Sequence, residues 1–196
     1  MLYILTLDET KDALGIKDSE DDGRVTDLLT GLQGRFALQA KRTFLYAAGI
    51  EEIFDGDQQW LLVKAFPVDS ITSIHISDDQ EWDADSLLDD GDYTIHKSRG
   101  RLIYGTGNLK WPKGVQNIRV VYTGGLIKDD YTPAPGADTD EIEALKNALR
   151  MQANFEWRNR QNLGQQAVSA QGVNVTLAKA ELLPEVKTIL NGLRRY

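Results

Sequence analysis

Apolar residues recur at helical spacing near both ends of the chain and at alternate positions through its middle, and this change of period divides the sequence. Near the start, Thr6 followed three residues later by Glu9 fits a capping box, in which the hydroxyl accepts an orphan backbone N–H and the carboxylate reaches back to the cap. This predicts a short helix over 7–14 that Gly15 stops. Asp18 or Ser19 then caps a longer helix whose stripe is Val25, Leu28, Leu29, Leu32 and Phe36, with Asp27, Gln33 and Arg35 on the polar face. Gly31 and Gly34 weaken that helix by about 1 kcal/mol each relative to alanine. Their smallness suits close approach of a neighbouring backbone.

Between residues 50 and 122 the period falls to two, and β-branched or aromatic residues alternate with turn chemistry, as in antiparallel strands. Asp55-Gly56-Asp57 reads as a hairpin turn joining Ile53-Phe54 to a strand over 60–65, and Ile71, Ile74 and Ile76 fall on a strand that starts after Pro67. A polar, acidic excursion over 78–92 precedes short strands over 93–96 and 101–104. A last strand, 115–122, runs to Gly124-Gly125. Pro133 and Pro135 mark a linker, after which Asp138 or Thr139 caps a third helix with the stripe Ile142, Leu145, Leu149, Gln152 and Ala153. Acids open that helix, and Arg158 and Arg160 close it, as its macrodipole favours. Residues 161–178 carry no charge and read as a mobile arm. Pro184 then opens a terminal helix whose stripe is Val186, Ile189, Leu190 and Leu193, a face to be buried on its own subunit or on a partner.

The expected fold is therefore α+β, a helical bundle made by both ends of the chain with an inserted antiparallel β domain. Its parts are the N-terminal helices (1–48), the β domain (49–128), the third bundle helix (137–162), a flexible arm (163–182) and a C-terminal helix and tail (183–196). Composition agrees with a folded chain, since 41% of its 196 residues are hydrophobic and 27% charged. The absence of cysteine excludes disulfides, thiol catalysis and Cys-ligated metals, and His75 and His96 are the only histidines. No apolar run approaches the roughly 18 residues of a membrane span, and the first sixteen residues carry acids where a leader has a basic segment, so a soluble, unexported chain is expected.

Charge adds a further division. Residues 1–98 hold 8 Lys and Arg against 21 Asp and Glu, whereas residues 99–196 hold 14 against 9, within a formal net charge of −8. The overall sign argues against a general binder of duplex DNA, which needs basic groups to displace counterions. The split itself suits a heterologous contact between copies, acidic flank against basic flank, that closes into a ring or runs into a filament.

Motifs for chemistry are thin. Asp18, Glu20, Asp22 and Gly23 follow the start of a calcium loop, but Leu29 stands where the bidentate glutamate belongs. Asp83, Asp85, Asp89, Asp90 and Asp92 lack fixed ligand spacing and read as a solvated loop. Gly105 and Gly107 lack the third glycine and the following helix of a dinucleotide site. No nucleophile elbow is present, and His75 and His96 read as structural. No catalytic group, metal or cofactor enters the reading.

The order of the pieces carries more than any one of them. Leu5-Thr6-Leu7-Asp8-Glu9-Thr10-Lys11, then Phe66-Pro67-Val68-Asp69-Ser70-Ile71, Asp92-Tyr93-Thr94-Ile95, Trp111-Pro112, Val120-Val121-Tyr122-Thr123-Gly124-Gly125 and Arg158-Asn159-Arg160 together resemble the tailed-bacteriophage head–tail connector (adaptor) family across nearly the whole chain. The resemblance implies a non-enzymatic virion protein of the neck, assembled in the host cytoplasm. Such subunits form a ring, usually of twelve, that docks beneath the portal protein, extends the DNA channel without sequence-specific binding and presents a surface to the next neck or tail protein. The closing segment looks like the family's C-terminal signature, which makes Leu183, Pro184, Val186, Ile189, Leu190, Leu193, Arg194, Arg195 and Tyr196 the candidates for docking to the portal or a neighbour. Two other readings stay open: a tail terminator or another neck protein, and a carbohydrate-active β protein with acidic groups.

Overall fold

The first helix forms where its signals place it. In the computed structural model, which describes residues 3–105, 109–160, 168–170, 173–175 and 181–194, Thr6 Oγ1 accepts from the Glu9 N–H at 3.0 Å and Glu9 accepts from the Thr6 N–H at 2.8 Å. Helix α1, Leu7–Leu14, ends at Gly15 in the left-handed region (φ 73°). There the N–H groups of Ile16 and Gly15 close on the carbonyls of Lys11 and Asp12.

Helix α2, Asp22–Ala40, starts one turn later than its acids suggest. Asp18 is consumed in a turn of its own, accepting from the Glu20 N–H at 3.2 Å, and Asp22 instead pairs with Lys11 of α1 at 2.6 Å. The fully buried stripe of α2 is Val25, Leu29, Leu32, Phe36 and Ala40, with Leu28 only half-buried. Gly31 and Gly34 lie on the open face, where an added Cβ would meet nothing within 4 Å, so no backbone of the described chain approaches them.

Two units result, one of Tyr3–Ala40 with Glu143–Leu193 and the other of Lys41–Ile142. The first is helical. Its third element, α3 (Thr139–Asn159), buries Leu145, Ala148, Leu149 and Ala153, and its fourth, α4 (Pro184–Gly192), buries Val186 and Leu190. Gln152, fully buried in the α3 stripe, is satisfied by the chain leading into α4: its Oε1 accepts from the Leu183 N–H at 2.9 Å and its Nε2 donates to the Glu181 carbonyl and to Glu156. Lys146 of α3 reaches Glu9 of α1 at 3.3 Å, and Asn154 donates to the Ala13 carbonyl at 2.8 Å. The residues of the predicted arm lie mostly outside those described; within it Val168–Ala170 and Val173–Val175 pair as an antiparallel hairpin, numbered β7 and β8 below the six strands of the other unit.

The second unit holds two three-stranded antiparallel sheets. One orders β1 (Ala47–Phe54), β6 (Ile118–Gly124) and β3 (Val68–Ile76), with β6 central; the other orders β2 (Trp60–Leu62), β5 (Arg101–Tyr104) and β4 (Tyr93–His96). Strand β6 alternates buried and half-buried residues along its whole length, burying Ile118, Val120 and Tyr122. These meet Leu61, Val63, Val68, Ile74, Leu102 and Trp111 in one core.

The predicted hairpin at Asp55-Gly56-Asp57 is corrected by this topology, because β1 and β2 belong to different sheets. The turn is instead bonded to the loop before β6, with the Gly56 N–H on the Gly114 carbonyl at 3.0 Å, the Asp57 N–H on the Trp111 carbonyl at 3.0 Å and the Trp111 N–H on the Gln58 carbonyl at 2.9 Å. Only glycine fits there, since a Cβ on Gly56 would fall 1.6 Å from the Pro112 carbonyl oxygen.

Two buried polar sets hold this unit. Arg42 donates to the Phe66 carbonyl at 2.8 Å and to Glu141 at 3.0 Å, with its guanidinium 3.7 Å from the Phe66 ring centroid. Burial pulls that guanidinium below its usual range, and the Glu141 carboxylate opposes the shift. In the other set, Tyr122 donates to Glu52 and accepts from the Ala65 N–H at 3.0 Å, while Glu52 also accepts from the Lys64 N–H at 2.7 Å. Burial, then the Glu52 bond, raises the Tyr122 phenol above its usual range.

Two outcomes follow. Tyr122→Phe leaves the Ala65 N–H buried without its acceptor and should lower stability by about 1–3 kcal/mol, read as a lower urea midpoint at unchanged slope. At Glu9, burial favours the neutral acid, but the Thr6 N–H and Lys146 outweigh it and hold the carboxyl below its ordinary value of 4.5. Its contribution is therefore complete above the unfolded value and lost as pH falls through the folded one. Acid titration of the thermal midpoint should fall less steeply below about pH 4.5 in Glu9→Gln than in the parent chain.

Candidate functional site

The terminal helix is the sequence's main candidate surface, and its stripe faces inward. Val186 and Leu190 are fully buried and Leu193 nearly so, all within the helical unit, where α4 packs on α2. Ile189 and Leu183 are half-buried, the Leu183 N–H being held by Gln152; Pro184 is exposed at the first turn. Arg194 is half-buried, and Arg195 and Tyr196 lie outside the described residues. The apolar members of the set thus come together as the helix's own seat. What α4 presents outward is polar: Glu185, Thr188 and Asn191 are exposed, Asn191 bonding Gln39 of α2 at 3.2 Å.

The acidic excursion is built rather than loose. Ser77 donates to Asp79, the Ser86 N–H to Asp83 at 3.0 Å, and Tyr93 to Asp90 at 3.1 Å, the last with the Tyr93 phenol pushed up to about 12 by burial and by that bond. Residues 86–88 lie along the outer edge of β3, where the Ile76 N–H bonds the Ser86 carbonyl at 2.9 Å and the Leu88 N–H bonds the Ile74 carbonyl at 2.8 Å. Leu88 packs on the core and its neighbour Leu87 is turned outward, 50% exposed. Among the described residues no basic side chain pairs with any acid over 78–92, and no three His, Asp or Glu side chains converge as a metal site. His75 is engaged by Ser86 at 3.0 Å.

Sequence reasoning missed a second feature, on the helical unit. Arg24 and Leu28 of α2 with Glu156, Trp157 and Arg160 at the end of α3 line a groove of about 200 Å³. The Arg160 guanidinium lies 4.5 Å from the Trp157 ring centroid, its Nη1 donating to the Trp157 carbonyl at 2.7 Å, and Glu156 is neutralised by Arg35. A signal for it was present. Leu28 is the member of the α2 stripe out of phase with the others, and Trp157 is the one tryptophan outside the β region. A cleft of about 350 Å³ in the β unit, beside Pro67, Asp69, Lys97 and Pro135, offers less chemistry, because Lys97 is spent on the Asp69 carbonyl and the Asp69 carboxylate on Tyr46.

No family model matches the chain, and no curated protein matches it. Solved structures do match its fold. A chain from the neck of an empty GTA particle computed with C6 symmetry superposes with a TM-score of 0.60 at 12% identity, over 98% of this chain and 90% of that one. A chain from the virion of the native gene transfer agent (GTA) particle gives 0.54 at 15%, over 98% and 90%. One from the neck of the native particle computed with C12 symmetry gives 0.52 at 14%, over 97% and 88%. The likeness spans both units and is one of fold. No helix among the described residues is long and apolar enough to cross a membrane.

If α4 is seated as described, Leu190→Ala should destabilise the helical unit by about 2–5 kcal/mol, seen as a drop in melting temperature. Glu185→Ala, on the exposed side, should stay within about 0.5 kcal/mol.

Proposed function

We propose that this chain is a structural, non-catalytic subunit of a neck ring in a phage-like particle, docking beneath the portal, extending the DNA channel and offering an attachment surface to the next neck or tail protein. The observation that carries the reading is the fold likeness along 97–98% of the chain to chains of particle necks computed with C6 and C12 symmetry. The resemblance in sequence order to head–tail connectors supports it independently. Charge agrees as well. The β unit carries 18 acids against 10 basic residues over 41–142, and a wall of that sign repels phosphate and lets DNA pass without adhering.

Docking to the portal is assigned to the C-terminal segment, Leu183 to Tyr196. Because Val186, Leu190 and Leu193 are occupied inside the helical unit, the described groups of this segment that face outward are Pro184 and the outer side of Ile189, and Arg194, Arg195 and Tyr196 are assigned to docking by the resemblance alone. Removal of the whole helix would uncover the α2 stripe, so the informative deletion is residues 194–196 alone.

Native mass spectrometry at low and high salt, with and without purified portal protein, tests both parts. A salt-sensitive ring, or monomers that assemble only when portal is added, is the expected result; a chain that stays monomeric and ignores the portal overturns the reading. The chain lacking 194–196 should keep its far-ultraviolet circular dichroism and lose attachment to the portal. Undiminished attachment removes the docking assignment.

A further inference from the structure

The groove between α2 and α3 and the leucine displayed by the acidic excursion are complementary in shape and in charge, and each lacks a partner of the other's kind in what the chain shows. The groove has an apolar floor, Leu28 and the half-buried Trp157, and a basic rim. Arg24 projects with 76% of its side chain exposed, and Arg160 is held over Trp157. Two acids stand among these groups, Asp21 paired with Arg24 at 2.9 Å and Glu156 with Arg35, which leaves Arg160 as the rim cation with no carboxylate partner among the described residues.

The excursion is the inverse. Leu87 projects from an edge that β3 holds by backbone bonds on both sides of it, so the side chain is presented on a fixed base. Around it the exposed carboxylates of Asp83, Asp85, Asp89 and Asp90 face solvent with no cation of the described chain paired to them. An exposed leucine costs apolar hydration, and framing it with unpaired acids adds mutual repulsion, so a basic-rimmed apolar slot relieves both at once.

We propose that Leu87 of one copy seats in the Arg24–Leu28–Trp157–Arg160 groove of the next, with Asp89 meeting Arg160. The inference rests on the ring reading and supplies its subunit contact. Every copy carries one peg, in its β unit, and one groove, in its helical unit, which makes the contact heterologous, the kind that closes into a ring. A second copy is favoured over another protein because both halves, with opposite sign, are built into one chain.

Since the chain has no cysteine of its own, a pair placed at exposed positions reports the contact directly. Leu87→Cys with Arg24→Cys, oxidised at low salt, should give a ladder of covalent multimers on a denaturing gel. Leu87→Cys with Leu38→Cys, exposed at the other end of α2, should ladder at least about tenfold more slowly. High salt should slow the first pair, as screening removes the rim's attraction. Asp89→Arg in that background should slow laddering about tenfold, and adding Arg160→Asp should restore it.

Covalent monomers closed by an internal disulfide would overturn the proposal in favour of a contact within one chain, and equal ladders from both pairs would reduce it to random collision. A parent chain that forms rings by native mass while the Leu87–Arg24 pair stays reduced overturns this contact and leaves the ring reading standing. A parent chain that never assembles, alone or with portal, and gives no ladder overturns both.

Discussion

The ion pair between Arg42 and Glu141 sets the condition under which the rest of the fold can exist. These residues are 99 positions apart, at the two ends of the β unit, and their contact brings the strand-bearing segment back to its own beginning. Closing a loop of that length costs about 4 kcal/mol by the logarithmic rule, and the helical unit, made from both ends of the chain, cannot form until it is met. Charge alone would meet it poorly, because taking a guanidinium out of water is expensive. The Phe66 carbonyl and the Phe66 ring share the task, so the clasp combines a charge pair, a neutral hydrogen bond and a cation–π face.

Legibility followed the range of the interaction. Helix α1 could be read to the residue because its start and stop are both set within four positions, by Thr6 with Glu9 and by Gly15. The α+β class was legible from the change of period, and β6 from its alternation. Partners were not. Periodicity tells which face of a strand is buried but not which strand lies beside it, so the β1–β6–β3 order, with the last strand in the middle, left no trace that the 55–57 turn joins two sheets. The start of α2 was misplaced because Asp18, Ser19, Glu20, Asp21 and Asp22 offer several caps, and the tertiary pairing of Asp22 with Lys11 lies outside the local signal. Arg42 and Glu52 look like ordinary surface charges in the sequence, their roles being decided by residues far along the chain.

The terminal helix shows the same rule at the level of the site. Its apolar stripe was plain, yet a stripe states only that something covers it. The covering surface is α2 of the same unit, with the buried Gln152 fixing the entry of the chain into α4 by bonds to backbone groups that would otherwise be orphaned. The groove beside Trp157 was hidden for the converse reason: its two halves lie 132 positions apart, and neither is unusual alone.

In the proposed ring, copies that each carry a net charge of −8 have to overcome mutual repulsion to associate. A large apolar interface would do so at the risk of trapping the free subunit in aggregates before it reaches its particle. Opposed local charges solve the problem differently. The acids over 78–92 pair with no cation among the described residues, whereas Arg160 at the end of α3 stands over the Trp157 ring. A small plug framed by such charges orients approaching copies from beyond contact distance and rejects acid-to-acid encounters, while contributing modest affinity by itself. Weak, directional and repeated around a closed ring, contacts of that kind favour assembly on a template over assembly in free solution, because the ring closes only when all of them are made together.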